Sequence, residues 1–339
     1  MIPRLDIHFN REERNIFLKG KEYNMPEYEF WLNHCRNGIT LALQSLNLAK
    51  ECKVGVMVYN CHTVMNSVRQ AGYECEFIDV TDELKINFED LNRKVKKIKV
   101  LIISHLFGIV NDINKIKKAN PDIIIIEDCA HIFGKQIEGD FGVYSVGQGK
   151  FPSIGDGGIL VVNNTDYLNS VIIKYHEIDF YNPKDEISLY VKLRFNSLLY
   201  KPLIYKYFTL FVKSINKKKI KFCEEPIKKM SQGVANLVIN KRNKMPIERY
   251  YHEQNAKDLI EKFGFNDYLL GENAFMLIVK CKCPKELKQQ MYKFGIDTET
   301  HFQQCIEWAK RYGYKRGCCP NAERLTNELL MFPTYKKIE

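Results

Sequence analysis

The sequence predicts an α/β fold, with a large domain built on a mainly parallel sheet followed by a smaller C-terminal α+β domain. Two observations carry this. From Val54 to Val162 short hydrophobic runs alternate with helical stretches, the pattern of successive βα units. Within them, Ile123 to Ile126 is a continuous β-branched run between Asn120-Pro121-Asp122 and Glu127-Asp128, as expected of a parallel strand covered on both faces. A chain of 339 residues holds one large and one smaller domain at roughly 150 residues each. We place them at residues 1–225 and 226–339.

Taken in order, a polar, charged opening leads into Asn37-Gly38-Ile39-Thr40 and a helix over Leu41 to Ala49. Phe88 to Lys97 and Asn111 to Lys118 read as helices that alternate with the hydrophobic runs. After Ile126 come strands over Phe141 to Val146 and Ile159 to Val162, separated by the turn Gly155-Asp156-Gly157-Gly158. Gln232 to Phe263 reads as one long amphipathic helix. A strand over Phe275 to Lys280 and helices over Lys285 to Phe294 and Asn321 to Leu330 complete the small domain.

An insertion at 190–222 interleaves aromatic and aliphatic residues with single cations and closes on Lys217-Lys218-Lys219. It has no apolar run of the ~20 residues that cross a bilayer. Two readings stand: an amphipathic surface helix making peripheral contact with a membrane, or aromatics that pack within the domain or at a dimer interface.

Hydrophobic residues at 45% and charged residues at 27% are ordinary for a soluble globular enzyme. The net charge of +10 would serve phosphates, acidic lipid surfaces or solubility. No nucleic-acid-binding module accompanies it, so no nucleic acid partner is expected. Eleven cysteines lack paired CxxC spacing, and Cys281-Lys282-Cys283 and Cys318-Cys319 are too close to form such a motif, so no metal site is expected. Their odd number and the lack of a signal peptide point to a reducing cytoplasm. Cys129 reads as a small buried hydrophobe.

Asp128 sits at the carboxyl end of its strand, the end that faces the ligand crevice in open α/β sheets. The next strand brings Ser145 and Lys150 to the same neighbourhood. Singly, each residue has an ordinary reading: Asp128 a helix cap, His131 a packing residue, Lys150 a surface cation, Gly155 to Gly158 a turn. Together they place an acid, an imidazole, a hydroxyl and a lysine at the ends of successive strands. Chemistry that needs an electron sink uses that inventory.

The pattern resembles the DegT/DnrJ/StrS group of pyridoxal-phosphate-dependent sugar aminotransferases, of the aspartate aminotransferase-like fold (fold type I). An Asp is followed by His three positions on, a Ser stands five before a Lys, and a Gly-Asp-Gly-Gly turn follows. Further segments agree in order. They are Tyr59 to Gly72 with Phe77-Ile78-Asp79-Val80, Ser104-His105-Leu106-Phe107-Gly108, Met230-Ser231-Gln232, Gly295-Ile296-Asp297-Thr298, His301-Phe302, Pro320 to Leu325 and Phe332-Pro333-Thr334-Tyr335.

The resemblance implies pyridoxal 5'-phosphate as cofactor. Lys150 would condense with its aldehyde and later shuttle the proton. Asp128 would pair with the pyridinium nitrogen, His131 would approach the phenolic oxygen and Ser145 the phosphate. A second phosphate contact is expected from Gly38, Ile39 and Thr40, with Thr40 as the hydroxyl, although relatives carry Thr directly after the Gly. Where relatives stack an aromatic on the ring this chain has Cys61, followed by His62 as the candidate to replace it. Where they carry Asn-Tyr-Arg, reaching the phosphate from a partner subunit, it has Ile227-Lys228-Lys229, and Lys229 is the cation on offer. His301 and Phe302 are the expected substrate contacts.

The expected reaction moves an amino group from glutamate or glutamine to a keto sugar, nucleotide-linked, for surface glycan or polysaccharide biosynthesis, in a homodimer. Two alternatives stay open: a cofactor-dependent sugar dehydratase, in which histidine typically replaces the lysine, and a non-catalytic regulatory or scaffold relative.

Overall fold

The computed structural model describes residues 1–19, 26–214 and 226–337. In chain order its elements are α1 (Arg11–Phe17), β1 (Glu29–Leu32), α2 (Cys35–Ser45), β2 (Lys53–Met57), α3 (His62–Gln70), β3 (Glu74–Ile78), α4 (Phe88–Lys94), β4 (Ile98–Ser104), α5 (Ile113–Ala119) and β5 (Ile124–Cys129). Then follow β6 (Phe141–Ser145), β7 (Gly158–Val162), α6 (Leu168–His176), α7 (Pro183–Leu199), α8 (Pro202–Ser214), α9 (Gln232–Arg242) and α10 (Met245–Phe263). The chain closes with β8 (Tyr268–Leu270), β9 (Met276–Lys280), α11 (Pro284–Lys293), α12 (Cys305–Ala309), α13 (Pro320–Leu325) and β10 (Leu329–Pro333).

The first seven strands form one sheet in the order β1-β7-β6-β5-β4-β2-β3. The run from β6 to β3 is parallel, and β7 and β1 add an antiparallel edge. This is the α/β sheet expected from the alternating runs, and Asp128 stands at the carboxyl end of β5 in register with Ser104 on β4. A second, antiparallel sheet has the order β10-β9-β8. It packs against α10 and α11 through Leu259, Leu277, Met291 and Phe332, a core separate from the large one.

Several elements depart from the sequence reading. The long helix over 232–263 is broken into α9 and α10 at Asn243-Lys244, because Pro246 has no N–H to donate and fits only in a first helical turn. The helix expected up to Leu330 stops at Leu325, and the buried run Leu329–Pro333 is instead a strand paired with β9. A continuous apolar run carries no periodicity to separate these two outcomes. The helix placed at Leu41 to Ala49 begins six residues earlier, at Cys35. Its N-cap, His34, makes no side-chain capping bond, so the Ser/Thr/Asp/Asn signature that marks a helix start is missing.

The 190–222 insertion forms the second half of α7 and all of α8, and its residues from 215 on, including Lys217-Lys218-Lys219, lie outside the described residues. Its aromatics divide between two settings. Tyr190 packs on Phe9 and Phe17, and buried Tyr205 donates to Asp297 at 2.6 Å, whereas Phe195 and Tyr207 stand exposed. Among the described residues no helix is long and apolar enough to cross a membrane.

Behind β5 lies a buried ionic network. Glu127, fully buried, accepts from His105 Nε2 at 2.8 Å, Lys135 Nζ at 2.8 Å and the N–H groups of Glu138 and Gly139 at 2.5 and 2.6 Å. Burial alone would raise its pKa, but the bonds from His105, Lys135 and Gly139 outweigh it and hold the value at about 2, below the ordinary 4.5. A carboxyl depressed on folding adds stability above its unfolded pKa and loses it as pH falls through the folded one. Glu127→Gln should therefore lower the melting temperature at neutral pH and flatten its decline between about pH 4.5 and 2. Melting curves across a pH series check this, and an unchanged acid slope would place the titrating group elsewhere.

Candidate active site

A cavity of about 240 Å³ opens at the carboxyl ends of the parallel strands. Its lining includes Asp128 and His131 from the end of β5, Ser145 and Lys150 after β6, Ile39 from α2, Cys61 ahead of α3, and Phe302. Seven of the sequence-predicted residues thus share one space.

Lys150 Nζ lies 2.8 Å from His131 Nε2. The other ring nitrogen of His131, Nδ1, accepts from the Phe107 backbone N–H at 2.9 Å. An N–H cannot accept, so Nδ1 is bare and Nε2 carries the proton of the neutral ring. Burial, with Lys150 and His301 nearby, pushes the His131 pKa well below its ordinary value, which agrees with a neutral ring. The Lys150 amine meets Nε2, and an amine attacks in its unprotonated form. The rings of Phe107 and Phe302 lie nearly parallel to His131, with centroids 5.1 and 6.2 Å away, and restrict its rotation.

Asp128 is buried, and its oxygens accept from Ser104 Oγ at 2.7 Å and from the Ala130 N–H at 3.1 Å. Ser104 Oγ in turn accepts from Asn60 Nδ2 at 2.7 Å. Asn60 donates, Ser104 relays, and the carboxylate is held at the cavity. Neither Asn60 nor Ser104 was singled out from sequence. Ser104 lies in the quoted Ser-His-Leu-Phe-Gly element, but its link to Asp128 arises only from β4 and β5 pairing in register.

The N-terminus of α2 also reaches the cavity, through His34, Cys35 and Arg36. Its position rests on the glycine turn. A Cβ on Gly158 would lie 2.2 Å from the Cys35 nitrogen, so only glycine allows the turn and the helix to meet. Asp156 in the same turn pairs with His34 at 2.8 Å. Free N–H groups and the helix dipole make this terminus a site suited to an anion.

Five predicted residues are not part of the lining. Gly38 faces the sheet, where a Cβ would come within 3.0 Å of Val143 Cγ1. Thr40 is fully buried, and its hydroxyl donates to the carbonyls of Arg36 and Ser67 at 3.3 and 3.5 Å. Thr40 is therefore not the phosphate hydroxyl: the helix phase turns Ile39 to the cavity and Thr40 away from it. His62, the first residue of α3, packs edge-on against Trp308 at 5.1 Å and is not among the residues lining the cavity that Cys61 lines. Lys229 stands over the Phe180 ring at 4.0 Å. His301 lies behind His131, at a centroid distance of 6.1 Å, with burial and the charges of Lys150 and Arg4 lowering its pKa to about 3.

Cys61 itself is a perturbed thiol. Burial would raise its pKa, but hydrogen bonds from His62 and Thr63 lower it below the ordinary value. Cys129 is fully buried with its thiol pushed well up by burial, as expected of a small hydrophobe. The donor atoms of His105, Glu127 and Cys129 lie within 4.8 Å of one another. Both His105 nitrogens and both Glu127 oxygens already hold hydrogen bonds, so the group is a packed network rather than an open metal site.

A lysine beside a histidine of fixed tautomer, a positioned carboxylate and a helix terminus suited to an anion, on a parallel α/β sheet, define the class of pyridoxal-phosphate enzymes of fold type I. Residues 21–186 match the DegT/DnrJ/EryC1/StrS aminotransferase family. It is similar to the uncharacterized protein MJ1066 of Methanocaldococcus jannaschii, with 25% identity across 94% of this chain and 83% of that protein.

Among solved structures, Spr1654 from Streptococcus pneumoniae in its PMP form superposes with a TM-score of 0.74 at 15% identity, covering 98% of this chain and 94% of that one. The same protein is also known in a PLP form. A GDP-4-keto-6-deoxymannose-3-dehydratase with GDP-perosamine bound gives a TM-score of 0.73 at 17% identity, covering 99% and 97%. At these identities the two structures share the fold. The cofactor is pyridoxal phosphate, and the chain is a sugar aminotransferase or a related sugar-modifying enzyme.

Proposed function

We propose that this chain transfers an amino group from glutamate or glutamine to a nucleotide-linked keto sugar in surface glycan biosynthesis, working in the cytoplasm as a homodimer. The observation that carries the reading is Lys150, with its amine 2.8 Å from His131 Nε2 in the cavity that Asp128 also lines. A dehydratase of this fold typically has histidine in place of that lysine, so Lys150 favours amino transfer.

Pyridoxal phosphate supplies an aldehyde that takes up amino groups and a ring that accepts an electron pair. Lys150 would hold the cofactor, and its amine would carry a proton to and from the substrate carbon. Asp128 keeps positive charge on the ring nitrogen favourable. His131 donates from Nε2, its tautomer fixed by the Phe107 N–H. The α2 terminus, with Ser145, receives the phosphate in place of the hydroxyl that Thr40 does not present. Phe302 lines the substrate side of the cavity, and His301 stands behind His131.

Donor and acceptor use one site in alternation, so ping-pong kinetics are expected. The test adds glutamate to the yellow protein, follows the loss of visible absorbance, and then screens nucleotide-keto-sugars for an aminated product by mass. Absorbance that does not respond to either donor would remove the aminotransferase reading and favour a non-catalytic relative.

A further inference from the structure

We propose that the outer face of α7 and α8 docks this protein on an anionic lipid surface. The two helices lie on the protein with one side buried and the other uncovered. Leu189 and Leu193 of α7 are buried in the core cluster that also holds Phe9, Phe17, Trp31 and Ile154. On the opposite side Ile187, Val191 and Phe195 are 67%, 58% and 60% exposed, and α8 also exposes Leu203 at 86% and Tyr207 at 72%.

At ~100° per residue, Ile187, Val191, Phe195 and Leu198 fall within an arc of about 80°, with Lys192 and Arg194 flanking it on either side. With its other side packed on the protein, α7 thus presents outward an apolar strip bordered by cations.

The charge distribution selects the occupant. Across the two helices the segment from 187 to 209 carries Lys192, Arg194, Lys201 and Lys206 and no acid. The acids just ahead of it face the protein. Asp185 accepts from Lys228, and Glu186 accepts from Ser231 and the Gly233 N–H. Among the described residues Lys192, Arg194, Lys201 and Lys206 are exposed and form no ion pair. A second copy placed on this face by two-fold symmetry would set cations against cations. A nucleic acid would satisfy the cations but leave the aliphatic stripe in water. Anionic headgroups over acyl chains satisfy both.

Flotation of the full chain with vesicles tests this. The wild type should float with phosphatidylcholine vesicles containing phosphatidylglycerol at low salt, and at least about tenfold less with phosphatidylcholine alone or at high salt. Val191→Asp with Phe195→Asp should lose flotation while keeping the wild-type circular dichroism. Lys192→Gln with Arg194→Gln should weaken it and reduce its salt dependence. The proposal falls if the wild type stays at the bottom of the gradient with anionic vesicles, or if the Asp pair floats as well as the wild type. It also falls if the wild type does not float and the Asp pair turns a sedimenting dimer into a monomer, which would assign the face to a second copy. None of these outcomes depends on the amino-transfer reading.

Discussion

Lys150→Ala should abolish turnover, by at least about 10⁴-fold, the upper end of what a positioned proton-transfer group contributes. The variant should also purify without the visible absorbance of bound cofactor. Both losses follow from one amine that serves as attachment point and as proton carrier. Lys150 lies at the cavity wall, outside the hydrophobic core, so its truncation leaves the sheet and its packing in place. Spectra and steady-state rates of the purified variant give the answer, with melting temperature as the folding control. A yellow, active Lys150→Ala protein would mean that a different lysine holds the cofactor.

Asp128→Asn should lower turnover by on the order of 10³, the loss expected when a preorganised charge at the reacting group is removed. The substitution keeps the shape and an acceptor for Ser104 but deletes the negative charge. Ser104→Ala makes the complementary change, leaving the charge and removing one of the bonds that aims it, and should cost about tenfold. The two variants therefore separate the electrostatic role of Asp128 from the orientation supplied through Asn60 and Ser104. If the two losses are equal and mild, Asp128 is a structural residue and its partnership with the ring nitrogen is wrong.

The parts of the site that could be read from the chain are those whose position follows from a strand end. A run of isoleucines can only be a buried strand or a buried helix, and four residues between turn formers and an acidic pair is strand length. Asp128 therefore had to lie at its tip, and the order of the following strand put Ser145 and Lys150 near it.

Residues on helices were less legible. Whether Ile39 or Thr40 faces the cavity depends on a phase difference of about 100° between neighbours. That phase is set by where α2 begins, and α2 begins at Cys35 because Gly158 lets the helix approach the turn, not because of a capping residue. The settings of His62 and Lys229 within the chain were illegible for a similar reason, since Trp308 and Phe180, distant from them in sequence, are the rings they meet.

By itself the sequence determined the α/β architecture and the chemical inventory at the strand ends. Periodicity and the order of residue types are local properties, and the carboxyl end of a parallel strand is a fixed address. Only the tertiary structure decided which of the neighbouring groups act. The His131 tautomer depends on the Phe107 N–H, the aim of Asp128 on a serine and an asparagine from two other strand ends, and the anion site on a glycine more than one hundred residues from the helix it admits. Each is a contact between segments far apart in the chain. Hydrogen-bond direction and van der Waals approach act at about 3 Å, and no spacing along the sequence encodes a distance of that kind.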